Sequence, residues 1–145
     1  MGNLVDETGE PIRVPSVEAS ENFFDVLGMQ PMLGRGFPRD ETLHGSDLEA
    51  VISHRLWQSR FSSDPFAIGR TVRLNGFVYT IVGVMPAGFH FPDATDLWQR
   101  LRWDMRRHSR GAHFMEAVAR LQPGTTVERA NAELATLTAR LAAEF

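Results

Sequence analysis

The sequence contains no cysteine and no lysine, and no apolar run approaches the roughly 18 residues needed to cross a membrane. The first absence excludes disulfides, thiolate zinc sites and thiol catalysis together. It fits any compartment, with a slight tilt towards the outside. The second leaves all 15 positive charges on arginine. It also denies the glycine-bearing stretch Gly28–Gly36 the ammonium that a phosphate-binding loop requires. Basic balance is lacking too: the net charge is −3 and the isoelectric point near 5.9, which argues against a nucleic-acid partner. The first residues, Met1-Gly2-Asn3-Leu4-Val5, have neither a basic n-region nor an apolar h-region. A chain of this kind working outside the cytoplasm is expected to be part of a longer protein.

What is present is a well-patterned globular sequence. Residues 3–11 read as a loose lead-in. Ile12, Val14 and Val17 suggest an extended segment that Pro15 interrupts and confines to an edge. Ser20 is an N-cap candidate for a short helix at 20–27 carrying Phe23, Phe24 and Leu27, with Gly28 at its end. Met29–Phe37 reads as a packed loop and Pro38–Leu48 as a solvated one. Glu49–Ile52 is a short strand, and Ser53 caps a helix carrying Leu56, Trp57 and Phe61. Asn75-Gly76 is a hairpin signal, because both central residues of a type I′ turn need positive φ. It pairs Leu74 with Phe77 and Val72 with Tyr79. Both faces of the second arm are apolar, which predicts a central strand. Phe114–Leu121 alternates like a strand. Thr125 to Glu128 fits a capping box opening a helix at 126–143, whose Val127, Ala130, Leu134, Leu137 and Leu141 form a stripe expected to pack on a sheet.

Reactive constellations are sparse. Ser53-His54 are adjacent and point apart in an emerging helix, and no G-x-S-x-G elbow exists. His108 and His113 are five apart, but His44, His54 and His90 are scattered and supply no third ligand at persuasive spacing. We therefore expect no catalytic residue, no cofactor-binding residue and no metal site. The one basic cluster, Arg100 to Arg110, is interleaved with tryptophan. Trp98, Trp103, Arg106 and Arg107 are the candidate partner contacts, since arginine and tryptophan often carry interface energy.

A series of phrases, in order, resembles the extracytoplasmic (periplasmic core) domain of MacB-type, FtsX-like ABC transporter permeases, particularly the duplicated orphan permeases common in acidobacteria. They run Ser20-Glu-Asn-Phe-Phe-Asp-Val-Leu-Gly28, Pro31-Met-Leu-Gly-Arg-Gly-Phe37, and Val51-Ile-Ser-His-Arg-Leu-Trp-Gln-Ser-Arg-Phe61. Asp64-Pro65 through Ile68-Gly69-Arg70 to Leu74-Asn75-Gly76 follows, then Val82-Gly-Val-Met-Pro-Ala-Gly-Phe-His-Phe-Pro92, and finally Arg120-Leu-Gln-Pro-Gly-Thr125 to Ala130. Each phrase alone is weak; their order and spacing are specific.

The resemblance implies an α+β fold with two lobes. Residues 12–39 and 113–145 would form part of a porter-like α/β lobe, like those of efflux pumps. Residues 40–112 would form an inserted mixed lobe holding the hairpin, with Phe89 and Phe91 folded back on the sheet as apolar plugs. In the family this domain lies between the first two membrane helices of a permease. A further segment, several tens of residues long, precedes the part that matches Ile12, and the sequence here has no counterpart to it. The implied function is non-catalytic: coupling motion driven by a separate cytoplasmic ATPase subunit to substrate export, or docking a periplasmic partner protein, beside a second permease copy. Membrane contact would come only through flanking helices. The alternative is a free-standing periplasmic binding or adaptor domain of the same fold.

Overall fold

A computed structural model of the chain describes residues 1–39, 48–102 and 115–144. The chain divides into two compact units, residues 1–114 and 115–145.

The first unit is an α+β structure built on one mixed sheet. Its strands are β1 (Gly2–Val5), β2 (Pro11–Val14), β3 (Ser16–Ala19), β4 (Leu33–Gly34), β5 (Glu49–Ile52), β6 (Thr71–Leu74), β7 (Phe77–Val84) and β8 (Leu97–Arg100). The spatial order is β2-β1-β6-β7-β5-β8-β3, and β4 pairs with β7 beside this path. Pairs β5–β7 and β3–β8 are parallel and the others antiparallel. Residues 3–11 are thus not a loose lead-in, since β1 lies between β2 and β6.

Pro15 has the predicted breaking effect, with a consequence the sequence does not announce. The strands it separates, β2 and β3, lie at opposite ends of the sheet path. A single residue joins them, so the sheet must curl until its ends meet. The Pro15 carbonyl secures that seam by accepting from the amides of Asp96 (2.9 Å) and Leu97 (3.2 Å). The strands at 11–19 therefore share one sheet with β5–β8 rather than standing in a separate lobe from residues 40–112.

Curling gives the sheet two apolar faces. One gathers Leu4, Val14, Ala50, Ile52, Val72, Leu74, Tyr79, Ile81 and Leu97 beneath α2 (His54–Phe61), which contributes Leu56, Trp57 and Phe61. The helix starts where predicted, with the Leu56 amide donating to Ser53 Oγ at 3.0 Å. The other face gathers Ala19, Val51, Val82 and Trp98 beneath α1 (Phe23–Leu27), Phe37 and Met85. Strand β5 is buried on both faces and β7 is central, paired with β6, β5 and β4.

The hairpin is as read: Leu74 faces Phe77, Val72 faces Tyr79, and Asn75 and Gly76 have φ of 50° and 89°. Glycine is also required where β4 crosses β7. A Cβ on Gly83 would run into the Arg35 carbonyl oxygen, and one on Gly34 into that of Val82. The packed loop Met29–Phe37 can bond to β7 only because both positions lack a side chain, through Met32 N to Val84 O and Arg35 N to Val82 O, each 2.8 Å.

Two local expectations shift. Helix α1 begins at Phe23, and Ser20 Oγ donates to Asn22 Oδ1 (2.8 Å) instead of capping it. Phe114–Leu121 was expected as a strand. Met115–Leu121 has no strand structure and Phe114 lies outside the described residues. Alternation makes a segment able to pair, but a strand forms only against a partner edge.

The second unit holds α3 (Val127–Glu144). Its hydroxyl cap is Thr126, whose Oγ1 accepts from the Arg129 amide at 3.2 Å, one residue later than predicted. The stripe is in place, and among the described residues its own unit holds no strand for it to cover; Val127 is 60% exposed, Leu134 58%, Leu137 42% and Leu141 45%. Periodicity specifies a face able to bury itself and leaves open what buries it.

Candidate interaction surface

The Met85–Pro92 stretch after β7 settles how the second sheet face is closed. Phe89 lies 5.3 Å from Trp98 and 6.1 Å from Phe24, ring centre to ring centre, and Phe24 meets Trp98 edge-on at 5.8 Å. Phe91 stacks on Phe23 at 6.2 Å and keeps 44% exposure, while its carbonyl accepts from Trp98 Nε1 at 2.9 Å. The segment is apolar because it is a lid on the sheet. It is broken because it must turn back on itself, with a cis Phe91–Pro92 bond.

Trp98, expected as a candidate partner contact, is consequently a core residue with 0% exposure. It lies on β8, paired with Val17 and Val51. The adjacent apolar pair Leu97-Trp98 is the sign of a strand covered on both faces, and four residues are too short for that sign to stand out. The other three candidates, Trp103, Arg106 and Arg107, lie outside the described residues. Of the basic cluster, Arg100 sits 3.8 Å from Glu21 with a side chain only 14% exposed, and Arg102 is exposed.

Arginine serves the fold elsewhere, as clamps on carboxylates at strand ends. Arg55 grips Asp96 with Nε at 3.1 Å and Nη2 at 2.5 Å, and Ser53 Oγ donates to the same carboxylate at 2.6 Å. Arg35 holds the buried Glu49, and Arg60 Nε donates to Asp6 at 2.8 Å while its Nη2 reaches Thr8 Oγ1 and the Glu10 carbonyl. The planar guanidinium fork suits such bidentate contacts. Burial alone would raise the Asp6 carboxyl. Hydrogen bonds from Thr8 and Arg60 outweigh it and hold the group below its ordinary 3.8. Burial, reinforced by Glu18, pushes the Tyr79 phenol up; its hydroxyl donates to Gln99 Oε1 at 2.8 Å.

These contacts leave little for chemistry at Ser53-His54. Ser53 is fully buried, accepts from its own helix and donates to Asp96, and the His54 ring packs edge-on against Trp57 at 5.4 Å. Among the described residues no group of three His, Asp or Glu is placed to hold a metal ion. No described helix is long and apolar enough to cross a membrane. What the surface does offer is apolar area. In the first unit Phe66 (80%), Phe77 (63%) and Val78 (50%) are exposed, the last two beside the hairpin turn. In the second unit it is the α3 stripe.

Residues 2–137 match the model of the MacB-like periplasmic core domain. The chain belongs to this family. Its fold is similar to that of the periplasmic region of MacB from Actinobacillus actinomycetemcomitans, with a TM-score of 0.73 at 19% identity over 97% of this chain and 62% of that one. It is also similar to the extracellular domain of the noncanonic ABC-type transporter YknZ from Gram-positive bacteria, with a TM-score of 0.55 at 17% identity over 69% of this chain and 50% of that one. The chain thus spans less than two thirds of the length of either relative. No curated protein matches its sequence. As a MacB-like periplasmic core domain, it is part of a transporter family and not of a catalytic one.

Proposed function

We propose that the chain is a non-catalytic domain of an ABC transporter permease, held on the extracytoplasmic face of the bacterial inner membrane by flanking membrane helices. It couples motion driven by a separate cytoplasmic ATPase subunit to substrate export or to docking of a periplasmic partner protein, beside a second copy of the permease. The observation that carries this reading is the family match over residues 2–137. The tied-down Ser53 and the use of arginines as structural clamps are in keeping with it, because a domain that transmits motion needs a stiff body more than a reactive centre. On this reading residues 113–145 belong to the porter-like lobe.

The contact segment within this proposal is the one around Trp103, Arg106 and Arg107. In the full permease, reconstituted with its ATPase in vesicles, Arg106→Ala with Arg107→Ala should lower transport while ATP hydrolysis continues. The same pair of changes should leave the melting temperature of the isolated chain unchanged, since surface charges add little to stability. Normal transport by a pair that destabilises the isolated chain would make the segment structural and sink the contact role. The purified chain is also expected to carry no stoichiometric metal by plasma emission spectrometry.

A further inference from the structure

The residue that opens the hairpin turn also holds the neighbouring strand. The Asn75 main-chain amide donates to the Asn3 carbonyl at 3.0 Å, as a ladder residue would. The Asn3 amide returns not to the Asn75 main chain but to its side chain, donating to Oδ1 at 2.9 Å. The side-chain oxygen stands in for the acceptor that the turn, with Asn75 at φ 50°, carries away. Gly76 follows at φ 89°, with no atom beyond its chain neighbours within 4 Å of where a Cβ would stand. Its amide makes no hydrogen bond among the described residues. We propose that Asn75 is a latent site of spontaneous deamidation, guarded by strand β1, and that its conversion to isoaspartate loosens β1 from β6.

An asparagine followed by glycine closes on itself readily, because no side chain shields the next main-chain nitrogen. The Gly76 nitrogen attacks Asn75 Cγ, its proton passes to solvent, and the Cγ–Nδ2 bond breaks to release ammonia. Water then opens the cyclic imide. Attack at Cγ leaves ordinary aspartate. Attack at the main-chain carbonyl leaves isoaspartate, which routes the chain through the side chain and lengthens it by a methylene. Cyclisation requires Cγ to swing onto the Gly76 nitrogen. With Oδ1 held by Asn3 it cannot, so the reaction waits for β1 to lift. That strand has four residues, and beside this clasp it pairs with β6 only through Leu4–Leu74 and Val5–Arg73. Aspartate keeps an oxygen for the Asn3 amide and tolerates the left-handed turn, whereas the longer isoaspartate backbone loses the register. This inference concerns the chain itself and stands whether or not the transporter reading holds.

The test is peptide mapping by mass spectrometry of the purified chain held at neutral pH, folded and in urea, with isoaspartate read by its specific carboxyl methylation. Conversion at Asn75 should be at least about tenfold slower in the folded chain, the rate following the fraction of molecules with β1 open. Asn3→Pro removes the guarding donor, and Leu4→Ala weakens the seat of β1 without touching the clasp. Each should speed conversion about threefold or more while the chain remains folded. Phe89→Ala, which loosens the lid on the other sheet face, should leave the rate unchanged. The isoaspartate form, separated by its charge, should melt below the original chain, and Asn75→Asp should melt close to it. Equal rates folded and in urea, a folded Asn3→Pro chain that converts no faster, a Phe89→Ala chain that converts as fast as Leu4→Ala, or an isoaspartate form that melts with Asn75→Asp would each overturn the proposal. Should either β1 variant fail to fold, the comparison with urea and the melting of the two products decide it.

Discussion

Val51 and Leu137 both sit in regular apolar patterns, yet Val51 is wholly buried and Leu137 is 42% exposed. The difference lies in what each pattern meets. Strand β5 has β7 on one side and β8 on the other, with α2 above one face and α1 and the Met85–Pro92 lid above the other. Helix α3 meets no such surroundings in its own unit, where no residue of it is buried. One region uses its apolar residues to hold itself together; the other presents them.

That contrast can be broken most severely at Trp98. Trp98→Ala removes the centre of the aromatic cluster and the donor to the Phe91 carbonyl, and should cost about 3–5 kcal/mol in chemical denaturation. A cost under about 1 kcal/mol would mean that the lid does not close the sheet. Asp96→Asn should cost less, about 1–3 kcal/mol. Ser53 and Arg55 lose their shared carboxylate charge, but the Arg55 side chain is 57% exposed and water replaces part of the interaction. A neutral outcome would show that the clamp is ornamental.

Asp6→Asn sharpens the same contrast through pH. Because the folded carboxyl lies below 3.8, its contribution is fully present above the unfolded value and is lost as pH falls through the folded one. The variant should be about 1 kcal/mol less stable than the original at pH 7. The gap should begin to close as pH drops towards 3.8 and be lost as pH falls through the lower, folded value. A gap unchanged between pH 7 and pH 2 would place the effect in packing instead of charge. Smallest of all, Leu137→Ala should change the stability of the first unit's cooperative transition by less than about 0.5 kcal/mol, read in dilute solution. A loss of 2 kcal/mol or more would put the stripe inside a core.

Much of the first unit was legible because its signals are local. Ser53 caps, Asn75-Gly76 turns, and the two-sided apolar pattern of β7 states its central place. What was not legible depends on partners far along the chain. Gly2–Val5 shows only two large apolar residues and becomes a strand because β2 and β6 supply both edges. Leu97-Trp98 read as a surface aromatic beside arginines and is core because β3 and β5 enclose it. Asp96 gives no sign of its two donors, which lie 43 and 41 residues earlier. The α3 stripe shows the complementary limit, with the period read correctly and its occupant unspecified.

The central claim is that the first unit closes its own core around β5, β7 and β8. Amide hydrogen exchange of the whole chain tests it most directly. The amides of β5, β7 and β8 should be the slowest to exchange, and those of α3, in which no residue is buried, should exchange faster. Exchange of the β5 amides as fast as that of α3 would contradict the account.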